Sequence, residues 1–193
     1  GADGWGYRHC LPYFRRAENS AFGADEYRGG GGPLSTSNGQ NMKNPLHRAF
    51  IEAGEQAGYI KSDDVNGYCQ EGFGRMDMTV KDGVRWSTAN AYLKPAMSRP
   101  NLKVEMHALT TRILMEGKKA VGVEYQQNGK LIQAKARREV ILSAGPINSP
   151  KILMLSGIGN AEHLKEHGIE SVHHLPGVGE NLHDHLEIWF QQN

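Results

Sequence analysis

The sequence lacks most of the features that assign a chain to a class at once. Nowhere do its glycines fall in the G-x-G-x-x-G spacing that opens a dinucleotide-binding helix. No apolar run approaches the roughly 18 residues of a membrane-spanning helix, and no charged, apolar and small-residue succession marks a signal peptide. Only two cysteines occur, Cys10 and Cys69, far apart in the chain. They compose neither a metal pair nor a disulfide framework and are expected as buried or half-buried thiols of a reducing compartment. Charge of one sign is not in excess either. The 22 Lys and Arg against 21 Asp and Glu leave a net charge of +1, scattered with no basic stripe, so there is no electrostatic case for nucleic acid.

Glycine, by contrast, is abundant at 24 of 193 residues, which implies many turns and close backbone approaches. A composition of 38% hydrophobic and 22% charged residues is that of a globular protein. The length suits one fair-sized domain or parts of two. Because it starts at Gly1 without Met and stops at Asn193 inside an expected strand, the chain is expected to be a piece cut from a longer protein.

The most informative stretch is Glu139 to Gly159. Val140–Ser143 is a short β-branched run that reads as a buried strand. Ala144, Gly145 and Pro146 then turn the chain with almost no side-chain bulk. Ser149 is expected to cap a helix with Pro150 at its first position, and Gly157 and Gly159 to end it. A strand, a bare turn and a helix start can hold something anionic or flat against the backbone; an ordinary strand-to-helix corner has the same look.

Around it, Trp5–Ala17 reads as a helix carrying Cys10, Leu11, Tyr13 and Phe14 on one face, with Arg15, Arg16 and Glu18 closing it on the wet side; Pro12 predicts two shorter helices or a late start. Gly29–Gly32, ahead of Pro33, reads as a mobile loop, with a lid as its functional version. Asn44 and Pro45 start a helix whose face is Leu46, Ala49, Phe50, Ala53 and Ala57, ended by Gly58. Asp63, Asp64, Asn66 and Gly67 read as a turn, not a calcium loop, because the spacing is wrong. Phe73–Val80 reads as a strand turned by Asp82-Gly83, and Ser87 as the cap of a helix running towards Ala96. Four strands follow, Leu102–Met106, Leu109–Met115, Ala120–Gln126 and Leu131–Lys135, with turns at Glu116-Gly117 and Asn128-Gly129: an antiparallel meander. Beyond the central stretch come a helix at Ala161–His167, a strand at Val172–Leu175, a turn at Pro176–Gly179 and an alternating strand at Leu186–Gln191.

Six of the nine histidines lie between His163 and His185. His163 and His167 have a helical metal-ligand spacing, but no carboxylate or cysteine completes a set, so a solvated helix face is the plainer reading. His183-Asp184-His185 is a polar corner or an oriented imidazole. Glu187, with Trp189 on the same strand face, would suit a cation that cannot donate hydrogen bonds; an ordinary surface carboxylate is the commoner case.

GPINSPKILMLSGIG (Gly145–Gly159) resembles the second signature of the glucose–methanol–choline (GMC) oxidoreductases. LPGVGENLHDH (Leu175–His185) resembles the segment that follows it, and RPNLKVEMHALTTRILMEGKKAVGVEY (Arg99–Tyr125) the meander inside the family's flavin domain. Asn66–Ala96, Trp5–Glu18 and His185–Gln192 look most like its choline-oxidising branch. The resemblance implies a mixed α/β fold: part of an FAD-binding Rossmann-like domain with an antiparallel meander (100–182), and part of an antiparallel-sheet substrate domain, with a helical and lid region at 1–99 and the start of a substrate-domain strand at 183–193.

It also implies FAD as cofactor and a small-molecule alcohol, choline foremost, oxidised to an aldehyde by hydride transfer to the flavin. Thr110 stands at the meander position whose backbone meets the adenine, Ser143, Ala144 and Gly145 beside the cofactor, and Glu187 where a carboxylate faces a trimethylammonium group. His183 stands where Gln is commoner. The family's catalytic base is a histidine expected beyond Asn193, and its dinucleotide fingerprint is expected before Gly1, so no catalytic residue falls in this chain and it is not expected to turn over alone. The electron acceptor is open between a quinone pool, the expected one, and oxygen, and the expected location is cytoplasmic or peripheral on an inner membrane. Two rivals stay open: a family member acting on an aliphatic alcohol, and a non-catalytic binding protein on the same scaffold with a metal at the clustered histidines.

Overall fold

A computed structural model of the chain describes residues 3–38 and 44–188. They divide into two compact units, 1–103 and 104–193.

The first unit opens with one helix, α1 (Tyr7–Ala17), that carries Pro12 in its interior. The expected break does not occur. Proline at the sixth helical residue removes one donor, and the helix runs on to Arg15 and Arg16 at its carbonyl end, where basic side chains complement the dipole. β1 (Glu18–Ser20) follows and pairs in parallel with β2 (Leu34–Thr36), Glu18 opposite Leu34.

The glycine run lies between them, and it is not a mobile loop. Gly29 N–H donates to the Glu18 carboxylate and Gly32 N–H to the Glu18 carbonyl. A Cβ on Gly29 would collide with the Arg15 carbonyl, and one on Gly32 with the Ala17 carbonyl. Glycine is required here so that one backbone can lie directly on the end of α1.

α2 (Pro45–Gln56) starts as expected, with Asn44 Oδ1 accepting the Leu46 N–H at 3.0 Å and Pro45 in the first turn. Its buried point, however, is Gly54, which lies against the Phe73 ring, while Leu46 and Phe50 are exposed. Two short parallel segments, β3 (Lys61–Ser62) and β4 (Phe73–Gly74), hold the ends of the Asp64 turn together. The strand expected at Phe73–Val80 is broken: Met78 makes an isolated bridge to Ser37, and only β5 (Val80–Lys81) pairs onward, with β6 (Val84–Arg85). Asp82 and Gly83 make that hairpin turn with φ of 51° and 76°, as Asp-Gly turns do. The helix expected from Ser87 is a π-turn (Ala89–Leu93) running into α3 (Lys94–Ala96); Ser87 contributes its carbonyl, not its side chain.

The second unit is built on a three-stranded antiparallel sheet of β7 (Leu109–Glu116), β8 (Lys119–Gln127) and β9 (Lys130–Lys135), in that order. The Asn128-Gly129 turn has φ of 50° and 75°. Leu102–Met106 does not form a fourth strand: Leu102 N–H closes a turn onto the Arg99 carbonyl, and Val104 and Met106 are exposed. α4 (Gly145–Leu155) packs on β7. β10 (Ile158–Gly159) then pairs in parallel with β11 (His173–His174), and α5 (Ala161–Glu166) lies between them, capped by Asn160. Leu164 at the centre of this corner is 1% exposed.

Candidate functional site

The corner singled out in the sequence is present, with its parts displaced. Val140–Ser143 forms no strand and pairs with nothing among the described residues, and Ile141 is 79% exposed. A strand needs a neighbour to accept its backbone donors, and among the described residues none is paired with this segment. The helix after it begins at Gly145, five residues before the expected start at Pro150, which sits inside it. Ser149 does cap, but from within: its Oγ accepts the Ala144 N–H at 3.0 Å. Pro146 has no N–H to offer, so the first turn of α4 leaves the Gly145 and Ile147 donors without an intrahelical acceptor. Ser143, Ala144 and Gly145 are all exposed, Gly145 has φ +85°, and a Cβ there would meet no atom of the described residues.

The far end of α4 is fixed. Ser156 Oγ accepts the Ile113 N–H at 2.8 Å and donates to the Ile152 carbonyl, both inside the core. This buried hydroxyl ties the helix to the middle of β7, a role the sequence offered no sign of. Thr110 lies three residues earlier on β7, half-buried, paired with Tyr125 and followed by a register shift before Arg112. Thr110 and the Ser143–Gly145 corner therefore sit on two elements of the same unit that pack together, joined by hydrogen bond at the end of α4 remote from Gly145.

Next to the shift, Glu124 accepts from Arg112 Nε and Nη2 at 3.1 Å, from Gln133 Nε2 at 3.2 Å and from Thr111. Arg112 foremost, then Gln133, holds its carboxyl down to about 2, against the opposing effect of burial. The group is thus a fixed anion that pins β7, β8 and β9 together.

Glu187 is not brought to any of these residues. It is exposed, belongs to no strand and makes no ion pair with a described residue; Trp189, its expected companion, lies outside the described residues. The histidines do not gather. Among the described residues no group of three His, Cys, Asp or Glu side chains could hold a metal. His163 and His167 pack ring edge to face at 4.8 Å, and His174 Nδ1 accepts the Ala161 N–H at 3.1 Å, helping to start α5. Asp184 Oδ1 accepts the His185 N–H, as a polar corner would. Cys10 and Cys69 are free and half-buried. Among the described residues no helix is long and apolar enough to cross a membrane.

The family model described as GMC oxidoreductase matches residues 1–187. The chain belongs to this family. Among curated members of the family, the human mitochondrial choline dehydrogenase is 60% identical over 192 residues, covering 100% of this chain and 32% of its own length. The oxygen-dependent choline dehydrogenase of Photobacterium profundum is 57% identical, covering 99% and 34%. The chain thus spans about a third of the curated relatives it matches. Among solved structures, pyridoxine 4-oxidase from Mesorbium loti superposes with a TM-score of 0.82 at 32% identity, covering 89% of this chain and 34% of that one. An FAD-dependent oxidoreductase from Chaetomium thermophilum gives 0.79 at 28%, covering 92% and 33%. The mixed helix-and-strand fold with its antiparallel meander is the fold of the family.

Proposed function

We propose that the whole protein oxidises choline to betaine aldehyde with FAD, and that this chain supplies part of the flavin seat and the anchor for the substrate cation. The observation that carries the reading is the 60% identity to a choline dehydrogenase over 192 residues, a match that spans the whole chain. The residues present fit the nucleotide. The start of α4 is open, bare of side chains at Gly145 and supplied with two N–H donors that the helix itself leaves unclaimed, the arrangement that suits a phosphate or ribose edge. Thr110 stands on the strand that α4 packs against.

When bound, FAD supplies the hydride acceptor that alcohol oxidation needs. The chain's own contribution is positional. Gly145 and Ile147 would hold the nucleotide through their N–H groups, and Ser149 keeps the turn in shape by occupying the Ala144 N–H. Ser156 prevents α4 from sliding on β7. Glu187 holds a trimethylammonium group by charge alone, since such a group donates no hydrogen bond. A neutral alcohol gains nothing from that carboxylate, so Glu187 discriminates by charge.

Steady-state kinetics of the full-length protein test this. Glu187→Gln should raise the KM for choline by about tenfold or more, the scale of one lost charge contact of about 1.4 kcal/mol. The same substitution should leave unchanged the value for the uncharged isostere in which carbon replaces the choline nitrogen. Equal effects on both alcohols would remove the anchor and favour a family member that acts on neutral alcohols. A flavin absorption spectrum in the purified full-length protein is required by either reading and excludes a flavin-free binding protein. Oxygen uptake during turnover separates an oxygen-dependent enzyme, the type named for the bacterial relative, from one that passes electrons to a membrane quinone.

A further inference from the structure

Asparagine followed by glycine is a chemically labile pair. The glycine amide nitrogen can attack the asparagine side-chain carbonyl carbon, because glycine has no Cβ to stand in the way. The sequence holds three such pairs, Asn38-Gly39, Asn66-Gly67 and Asn128-Gly129. Gly39 lies outside the described residues. The other two pairs set the same two residues in opposite surroundings.

At Asn66-Gly67 both reacting groups are held. Asn66 Nδ2, the nitrogen that would leave, donates to Asp77 Oδ2 at 2.7 Å, and the Asn66 N–H donates to Asp64 Oδ1 at 2.9 Å. The Gly67 N–H, the nucleophile, donates to the Asp64 carbonyl at 3.2 Å. Gly67 is buried, and the Asp64 side chain lies 3.1 Å from where a Cβ would stand. At Asn128-Gly129 neither group is held. The pair is exposed at the tip of the β8–β9 hairpin. Among the described residues the Asn128 side chain makes no hydrogen bond and the Gly129 N–H has no acceptor. A Cβ on Gly129 would meet no atom within 4 Å. Only the turn itself, with positive φ at both residues, opposes the rotation that brings Gly129 N to Asn128 Cγ.

We propose that Asn128 is a site of spontaneous deamidation whose isoaspartyl product breaks the β8–β9 turn. A bond forms between Gly129 N and Asn128 Cγ, and the Cγ–Nδ2 bond breaks. Nδ2 leaves as ammonia with the Gly129 amide proton, and a cyclic imide remains. Water then opens the imide at either carbonyl, and nothing is oxidised or reduced. Opening at the side-chain carbonyl gives an aspartyl residue and keeps the turn, since Asp-Gly favours it as Asn-Gly does. Opening at the main-chain carbonyl gives an isoaspartyl residue, which runs the backbone through the former side chain and lengthens a two-residue loop by one carbon. Loop length sets hairpin register. The Gln127–Lys130 pairing beside the turn is therefore lost first, and with it the hold on β9, from which Gln133 reaches Glu124.

The test ages the full-length protein in mildly alkaline buffer, digests it at acid pH, where the imide forms slowly, and reads the peptides by mass spectrometry with fragmentation that separates aspartyl from isoaspartyl products. The Asn128 peptide should convert at least about tenfold faster than the Asn66 peptide, the scale of the hydrogen bonds that hold the second pair. Hydrogen exchange of β9 amides should be faster in the isoaspartyl form than in fresh protein. Asn128→Gly, which leaves a Gly-Gly turn of the same type, should keep its β9 protection through the same ageing. Equal rates at the two pairs, or no conversion at Asn128, overturn the proposal. So do an isoaspartyl form whose β9 amides exchange no faster and an aged Asn128→Gly protein that loses β9 protection. None of these readouts depends on bound flavin or on choline turnover.

Discussion

The two units of the chain are held together in opposite ways. The first has strands of two or three residues and takes its order from a buried ionic knot: Arg28 draws together Glu18 at the end of α1, Asp64 in a turn and Asp77 between two short strands. The glycine run closes around that knot, because the carboxylate that receives Arg28 also receives the Gly29 N–H. The second unit has strands of six to nine residues whose ladders satisfy their own backbone. Its buried links are Ile113, Ile152 and Leu164, the Ser156 hydroxyl and the Glu124 carboxylate on the sheet. The first unit therefore depends on one buried charge cluster, whereas the second spreads its dependence over core volume, one hydroxyl and the Glu124 pair.

The largest effect expected from breaking this contrast is Arg28→Ala. Three carboxylates would be left buried around a hole, at a cost of about 3–5 kcal/mol by the usual penalty for orphaning buried charge. Urea unfolding of the full-length protein measures it, and proteolysis should cut first within residues 18–77. A loss below about 1 kcal/mol would mean that the knot is already hydrated. Leu164→Ala comes next, at about 3 kcal/mol for an emptied core site, with early proteolysis displaced to the α5 corner. Ser156→Ala should cost about 1–3 kcal/mol, because the Ile113 N–H would stay buried without an acceptor. It should also loosen flavin binding, seen as easier loss of yellow colour on dialysis, if α4 seats the nucleotide.

The smallest and broadest effect is the response to acid. The Glu124 carboxyl is held down to about 2, first by Arg112 and then by Gln133. A depressed carboxyl stabilises the fold fully above its unfolded value near 4.5, and that contribution fades as pH falls towards 2. Glu18 is also lowered: burial pushes it up, but the hydrogen bonds from Arg28, Thr36 and Gly29 together prevail. Both units should thus weaken below pH 4.5, and Glu124→Gln should flatten the dependence of the sheet alone. Hydrogen exchange at β8 amides, followed from mildly acidic to strongly acidic buffer, reads that difference.

Local chemistry was legible from the residues. Asn44 with Pro45, Asp82-Gly83, Asn128-Gly129 and the three meander strands that pair are where the sequence places them, since a cap or a turn depends on neighbours a few residues away. The Arg28 knot was invisible. Its partners lie 10, 36 and 49 residues off, and no period or spacing announces such a meeting. The same holds for the glycine run, which reads as a free loop until the end of α1 is seen lying on it. At the candidate site the exposed Gly145 turn was legible, whereas the early start of α4 and the anchoring by Ser156 were not, because both depend on what β7 presents to the helix.

By itself, then, the sequence determined the Asn44 cap, the Asp82-Gly83 and Asn128-Gly129 turns, the three meander strands that pair and the membership of the GMC oxidoreductase family, all of which are written in residues close together. Only the tertiary structure decided which charges are buried, which glycines are compressed and which end of α4 is fixed. The reason is physical: burial and ion pairing belong to groups that meet in space, and chain proximity carries no information about such meetings.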